Sequence, residues 1–114
     1  MSTESDDEKV FKALANHRRR GLLDCLKAGP KTTGALCGQF PDMDRCTVMQ
    51  HLAALEDAEL IIVKRDGRER WNHLNAMPIK RIHDRWISEY ASHAMNLLDR
   101  LKSDLEGAPN PSAG

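Results

Sequence analysis

Apolar positions recur at helical spacing along most of the chain, interrupted by one short stretch that reads as paired strands. Val10, Phe11 and Leu14 mark the inner side of a helix over about 6–15, introduced by Ser5-Asp-Asp-Glu8 as a capping box. Leu22, Leu23 and Leu26 do the same for a helix over about 17–28, capped by Asn16 and stopped by Gly29-Pro30. A short third helix, 32–40, takes Thr32 as its cap and is expected to turn Leu36 and Phe40 toward the helix that follows. After the Pro41-Asp42 turn, Asp44 can cap a helix from Arg45, with Met43 and Val48 placed as a hydrophobic staple. Val48, Leu52 and Leu55 then form one apolar stripe.

Residues 60–74, LIIVKRDGRERWNHL, read as a hairpin. A two-residue Asp66-Gly67 loop of type I′ would pair Lys64 with Glu69 and Ile62 with Trp71, leaving Trp71 to cap the core at the hairpin base. Pro78 opens a last helix over about 77–106, whose apolar side is Ile79, Ile82, Trp86, Tyr90, Leu97, Leu98, Leu101 and Leu105. Helix, turn, helix and a basic hairpin, in that order, predict a winged helix-turn-helix: mainly α, five helices plus a two-stranded wing. One domain is expected over 6–106, with a disordered N-terminus over 1–5 and a disordered tail over 107–114.

The polar side of the helix at Arg45 gives this order a function. Arg45, Thr47, Met49, Gln50 and His51 lie opposite the stripe, and Arg suits guanine, Gln adenine, and Thr a phosphate or a thymine methyl. Lys64, Arg65, Arg68 and Arg70 in the wing would hold phosphates. A last helix about 40 Å long, at 1.5 Å per residue, cannot bury its stripe on so small a domain. A matching helix from a second copy would cover it in an isologous dimer.

Charge changes this picture little. Seventeen basic residues balance seventeen acidic ones, but residues 16–74 hold ten basic against eight acidic, and the tip KRDGRER is locally basic. The HRRR run at 17–20 reads as a solvated face, or as contact with phosphates or with a partner's acidic residues. No apolar run approaches the roughly 18 residues of a membrane span, the N-terminus is acidic rather than signal-like, and three scattered cysteines form no CxxC pair. A cytoplasmic protein is expected. Five scattered His, with no nucleophile–base pair or phosphate-cradling Gly loop, point away from an enzyme.

The segments VFKALANHRRRGLLDCL (10–26), TTGALCGQF (32–40), TVMQHLAALEDAELI (47–61) and RDGRERWNHLN (65–75) resemble the ArsR-type family of small winged-helix transcriptional regulators. The likeness covers about 8–106. It implies a dimeric DNA-binding protein, usually a repressor, whose first and last helices form the dimer interface: here Val10, Phe11, Ile82, Trp86, Tyr90, Leu97 and Leu101. The chain departs from the pattern in its longer Pro41-Asp42 turn. Glu59 also replaces the Gly that commonly ends the recognition helix, at about 1 kcal/mol if the backbone there is left-handed.

Metal-sensing members carry Cys-x-Cys at the start of the third helix, where this chain has Thr32 and Gly34, neither a ligand for a soft ion. Cys37, one turn on, reads as a core residue. The family's other site uses Asp-x-His. Here Arg81 precedes His83 by two, and His93 comes one residue early, leaving only an inter-subunit set of His83, Glu89 and His93 as an alternative. No metal or cofactor is expected. Cys25 lacks a partner thiol, and Cys46, early in the recognition helix, reads as a small residue needed near the phosphate backbone, the alternative being a thiol whose oxidation would disturb DNA contact. The expectation is therefore a repressor acting on a near-palindromic operator and released by an unidentified signal or small effector. The competing class is a winged-helix protein-interaction module that never touches DNA.

Overall fold

The computed structural model describes residues 3–107. Its elements run α1 (Thr3–Leu14), α2 (His17–Leu26), β1 (Lys31–Thr32), α3 (Thr33–Gln39), α4 (Arg45–Asp57), β2 (Ile61–Asp66), β3 (Glu69–Leu74), α5 (Met77–Ile82), a π-helical turn (His83–Ile87) and α6 (Ser88–Gly107). Packing divides the chain into two compact units, with the boundary between Lys80 and Arg81. The reason is burial: among the described residues, every buried side chain except Ile82 lies in the first unit.

In that unit the core is aliphatic. Val10 and Ala13 of α1, Leu22, Leu23 and Leu26 of α2, Leu36 of α3 and Val48, Leu52 and Leu55 of α4 are buried, with Leu60 and Ile61 at the entry to the wing. The expected capping box at Ser5 is not formed, because α1 already starts at Thr3 and Ser5 is an exposed position inside it. Residues 3–5 are thus helical rather than frayed, and Gly107 closes α6. The rest of the two expected disordered ends, 1–2 and 108–114, lies outside the described residues.

Three expected caps are present. Asn16 Oδ1 accepts from the Arg18 and Arg19 amides at 2.9 and 3.3 Å, Thr32 Oγ1 from Ala35 at 3.1 Å, and Asp44 Oδ1 from Thr47 at 2.7 Å. That last bond, the largest cause, holds the Asp44 carboxyl below its usual pKa. Phe40 adds a contact outside the expectation for it: its ring lies over Gly21 of α2, where a Cβ would come within 3.2 Å of it.

The sheet is larger than the expected hairpin. Its order is β1-β3-β2, antiparallel throughout, with Lys31 opposite Asn72 and Thr32 opposite Trp71. The hairpin register also differs from expectation: Lys64 pairs with Trp71, Ile62 with His73 and Asp66 with Glu69. The loop is therefore Gly67-Arg68, one residue later than expected. Gly67 has φ 63° and Arg68 is not at positive φ, the signature of a type II′ turn rather than I′. Each partner slides by two residues, so every side chain keeps its face. Trp71 is half-buried, and the fully buried residue of β3 is Asn72.

Helix α4 ends in a Schellman motif. Leu60 N–H donates to Leu55 O and Glu59 N–H to Glu56 O, both at 2.9 Å, while the buried Leu60 and Leu55 supply the apolar contact that accompanies it. Glu59 occupies the left-handed position with φ 62°, as its place after the helix implied. Asn75 Nδ2 donates to the Glu59 carbonyl at 2.8 Å and holds that strained residue from the far side.

The second unit is helical. Ser88 N–H donates back five residues to His83 O, which makes the turn between them π-helical. Trp86 and Tyr90 stack within it, with ring centroids 5.9 Å apart and planes 7° from parallel. No described helix is long and apolar enough to cross a membrane.

Since Glu59 has a Cβ in a conformation glycine adopts without cost, Glu59→Gly is expected to raise the unfolding free energy by about 1 kcal/mol. Urea denaturation of the two proteins checks it, and an unchanged or lowered midpoint would show the residue to be unstrained.

Candidate nucleic-acid interface

The buried stripe of α4 fixes which residues face solvent. Arg45 and Gln50 are exposed, and Thr47, Met49 and His51 half-exposed, so all five expected readers lie on or beside the solvent side. Cys46 is exposed between them.

His51 differs from the others. Arg19 Nε, from α2, donates to its Nδ1 at 3.2 Å, while Arg19 Nη1 donates to the Lys12 carbonyl at 3.2 Å. Partial burial, and then the charges of Arg19, Arg18 and His17, hold the His51 pKa below its usual value. A neutral ring accepting at Nδ1 carries its proton on Nε2, so His51 can offer the surface a donor there. A depressed histidine pKa means the link between α2 and α4 is fully present above about pH 6.5 and fades as pH falls through the lowered value.

The other arginines of the HRRR run are also engaged within the chain. Arg18 pairs with Asp42 in the turn before α4, and this contact, first among the causes, lowers the Asp42 pKa. Arg20 Nη1 donates to the Leu14 carbonyl at 2.6 Å. The run is therefore more than a solvated face. It ties α2 to the end of α1 and to the approach into α4. The signal was readable in part, since three arginines at a helix start oppose the helix dipole and call for local acceptors.

Beside α4 lies a groove of about 330 Å³. One bank is Arg45 and Met49 with Thr32, Thr33 and Gly34 from the start of α3, and the other is Arg65, Arg68, Glu69 and Arg70 of the wing. Lys64 does not line it. Arg70 Nη2 reaches Glu56 of α4 at 3.4 Å, and its Nε is buried without a hydrogen-bond partner.

Beneath the groove sits Asn72, which no sequence pattern singled out. Its Nδ2 donates to the Lys31 carbonyl at 3.2 Å and to Thr33 Oγ1 at 3.1 Å. It joins wing, β1 and α3 from a fully buried position. An asparagine within an alternating strand carries no outward mark of this role, because β1 itself is too short to read.

The expected dimer residues divide. Val10 is 1% exposed and Ile82 4%, so neither offers surface to a second copy, because each is already buried within a single chain. Phe11 is 46% exposed on α1. Trp86, Tyr90, Leu97 and Leu101 are all exposed, as are Ile87, Met95, Leu98 and Leu105 of the same unit. No group of three or more His, Cys, Asp or Glu among the described residues is placed to hold a metal ion. Cys37 is half-buried rather than a core residue, and Cys25 is half-buried too.

No protein-family model matches the chain. It is 36% identical over 66 residues to the transcriptional repressor SdpR of Bacillus subtilis, an alignment spanning 58% of this chain and 72% of that protein. The crystal structure of an ArsR family transcriptional regulator is similar with a TM-score of 0.72 and 29% identity, covering 82% of this chain and 95% of that one. The homodimeric winged helix-turn-helix DNA-binding domain of a Mycobacterium bovis protein, solved in solution, gives a TM-score of 0.61 and 25% identity over 81% of this chain and 84% of that domain. With the winged helix-turn-helix, the outward polar side of α4 and these likenesses together, the chain belongs to the ArsR family of transcriptional regulators.

Proposed function

We propose that the protein is a homodimeric, sequence-specific DNA-binding repressor that acts in the cytoplasm and leaves its operator in response to a small effector. Two copies of α4 would enter successive major grooves, about 34 Å apart on a near-palindromic site. The observation that carries this reading is the polar side of α4 facing solvent next to a groove walled by wing arginines. A helix that offers hydrogen-bonding side chains, flanked by the cations of the wing, suits base readout with phosphate anchoring. The likeness to a named repressor, and to a domain described as homodimeric and DNA-binding, supports it and weighs against a module that only binds proteins.

In this reading Arg45, Thr47, Met49 and Gln50 read base edges, and His51 adds a donor through Nε2. Lys64, Arg65 and Arg68 hold phosphates, with Arg70 shared between the backbone and Glu56. The dimer forms through α6 and the turn before it. Trp86, Tyr90, Leu97 and Leu101, with Leu105, stand four or seven residues apart, the spacing of an interhelical seam. Leaving that many large apolar side chains in water is unfavourable by about 25 cal/mol per Å², so a second copy of the same helix is the economical cover.

Gln50→Ala is expected to cost roughly 1–3 kcal/mol of discrimination between operator and single-base variants, with little change in salt dependence. Arg68→Ala should instead weaken all sequences alike and lower the salt slope by about one per chain. Gel-shift titration at several salt concentrations separates the two, and no retardation of any promoter fragment at low salt would refute DNA binding itself. Leu101→Glu is expected to give a folded monomer in analytical ultracentrifugation. A variant that remains dimeric would remove α6 as the interface.

A further inference from the structure

The groove beside α4 holds more positive charge than the chain neutralises. Four guanidiniums, those of Arg45, Arg65, Arg68 and Arg70, line about 330 Å³ together with the one carboxylate of Glu69. Among the described residues Arg45, Arg65 and Arg68 form no ion pair, and Arg70 forms one, to Glu56 at 3.4 Å through a single terminal nitrogen. Arg70 Nε has no acceptor at all. Like charges gathered in a concave wall repel each other and focus a positive potential into the space between them.

The banks of the groove differ in origin. Arg45 stands at the start of α4, and the other three arginines come from β2, the hairpin loop and β3. A guanidinium grips one phosphate bidentately, so arginines on two banks favour an anion with more than one phosphate group. Thr32 adds a neutral donor: its Oγ1 accepts from Ala35, which leaves the hydroxyl proton for the groove. The volume is at the small end for ligand sites, roughly 300–1,000 Å³, and suits a compact polyanion.

We propose that this groove binds a free small anion with two adjacent phosphate groups, and that its occupation withdraws Arg45 and Arg68 from DNA. The site stands on the groove alone, while the competition rests on the DNA-binding reading above.

Calorimetric titration of the full chain with inorganic pyrophosphate, at fixed ionic strength and with orthophosphate in parallel, tests the site. One saturable site per chain is expected, at least tenfold tighter for pyrophosphate than for orthophosphate. Arg45→Ala and Arg68→Ala should each weaken it at least tenfold, and Arg100→Ala on α6 should not. Melting curves of the variants confirm that each is folded. Heats that never saturate, equal affinity for the two anions, or equal loss in Arg100→Ala would overturn the proposal. In a second arm, a promoter fragment that the protein retards is challenged with pyrophosphate at matched ionic strength. Displacement supports the competition, and binding of the anion with the DNA complex intact refutes it. If the protein retards no fragment, the DNA reading fails while calorimetry still decides the site.

Discussion

The burial of three aliphatic side chains of α4 is the constraint on which the rest depends. Val48, Leu52 and Leu55 are wholly removed from water, and because they share one side of the helix they leave it a single permitted rotation. Rotation decides function here, since one residue of slip would turn the helix by about 100° and bury the side chains now offered to solvent. Both ends of the helix are fixed as well, by the Asp44 cap and by the Schellman turn at Glu59. A regulator that reads bases needs this. Its readers must be held in place before the nucleic acid arrives, or ordering them would subtract from the affinity.

Electrostatics in the first unit serve two different ends. In α2 the arginines are spent inside the chain: Arg18 on the turn before α4, Arg19 on His51 and Lys12, Arg20 on the end of α1. In the wing Arg65 and Arg68 are not, and among the described residues Arg70 alone of the groove's four has a carboxylate partner, Glu56. A chain of zero net charge thus has a strongly cationic groove, because its neutralising contacts are concentrated elsewhere. Exposed ion pairs of the first kind contribute little to stability, so their value lies in setting geometry.

The periodic parts of this fold were legible from the amino-acid order. Aliphatic spacing and the caps at Asn16, Thr32 and Asp44 locate α2, α3 and α4, while the left-handed backbone at Glu59 was raised only as a condition, through the Gly that the resembling family commonly has there. What escaped depends on contacts remote in sequence. The two-residue β1 has no pattern of its own and exists only because β3 lies alongside it. The hairpin register was missed because Asp66-Gly67 and Gly67-Arg68 both make acceptable loops, and the choice falls to the pairing of the strands. The π turn has no composition signal either. For the site, exposure of the expected readers followed from the stripe, whereas the coupling of His51 to Arg19, thirty-two residues away, did not.

Asn72 has a mechanical consequence. Its amide clasps Lys31 and Thr33 from below, so wing and third helix are fastened to each other under the cleft that separates their rims. Parting β3 from the start of α3 would break a buried amide–hydroxyl bond, so the floor of the cleft resists opening at a cost of about 1–3 kcal/mol.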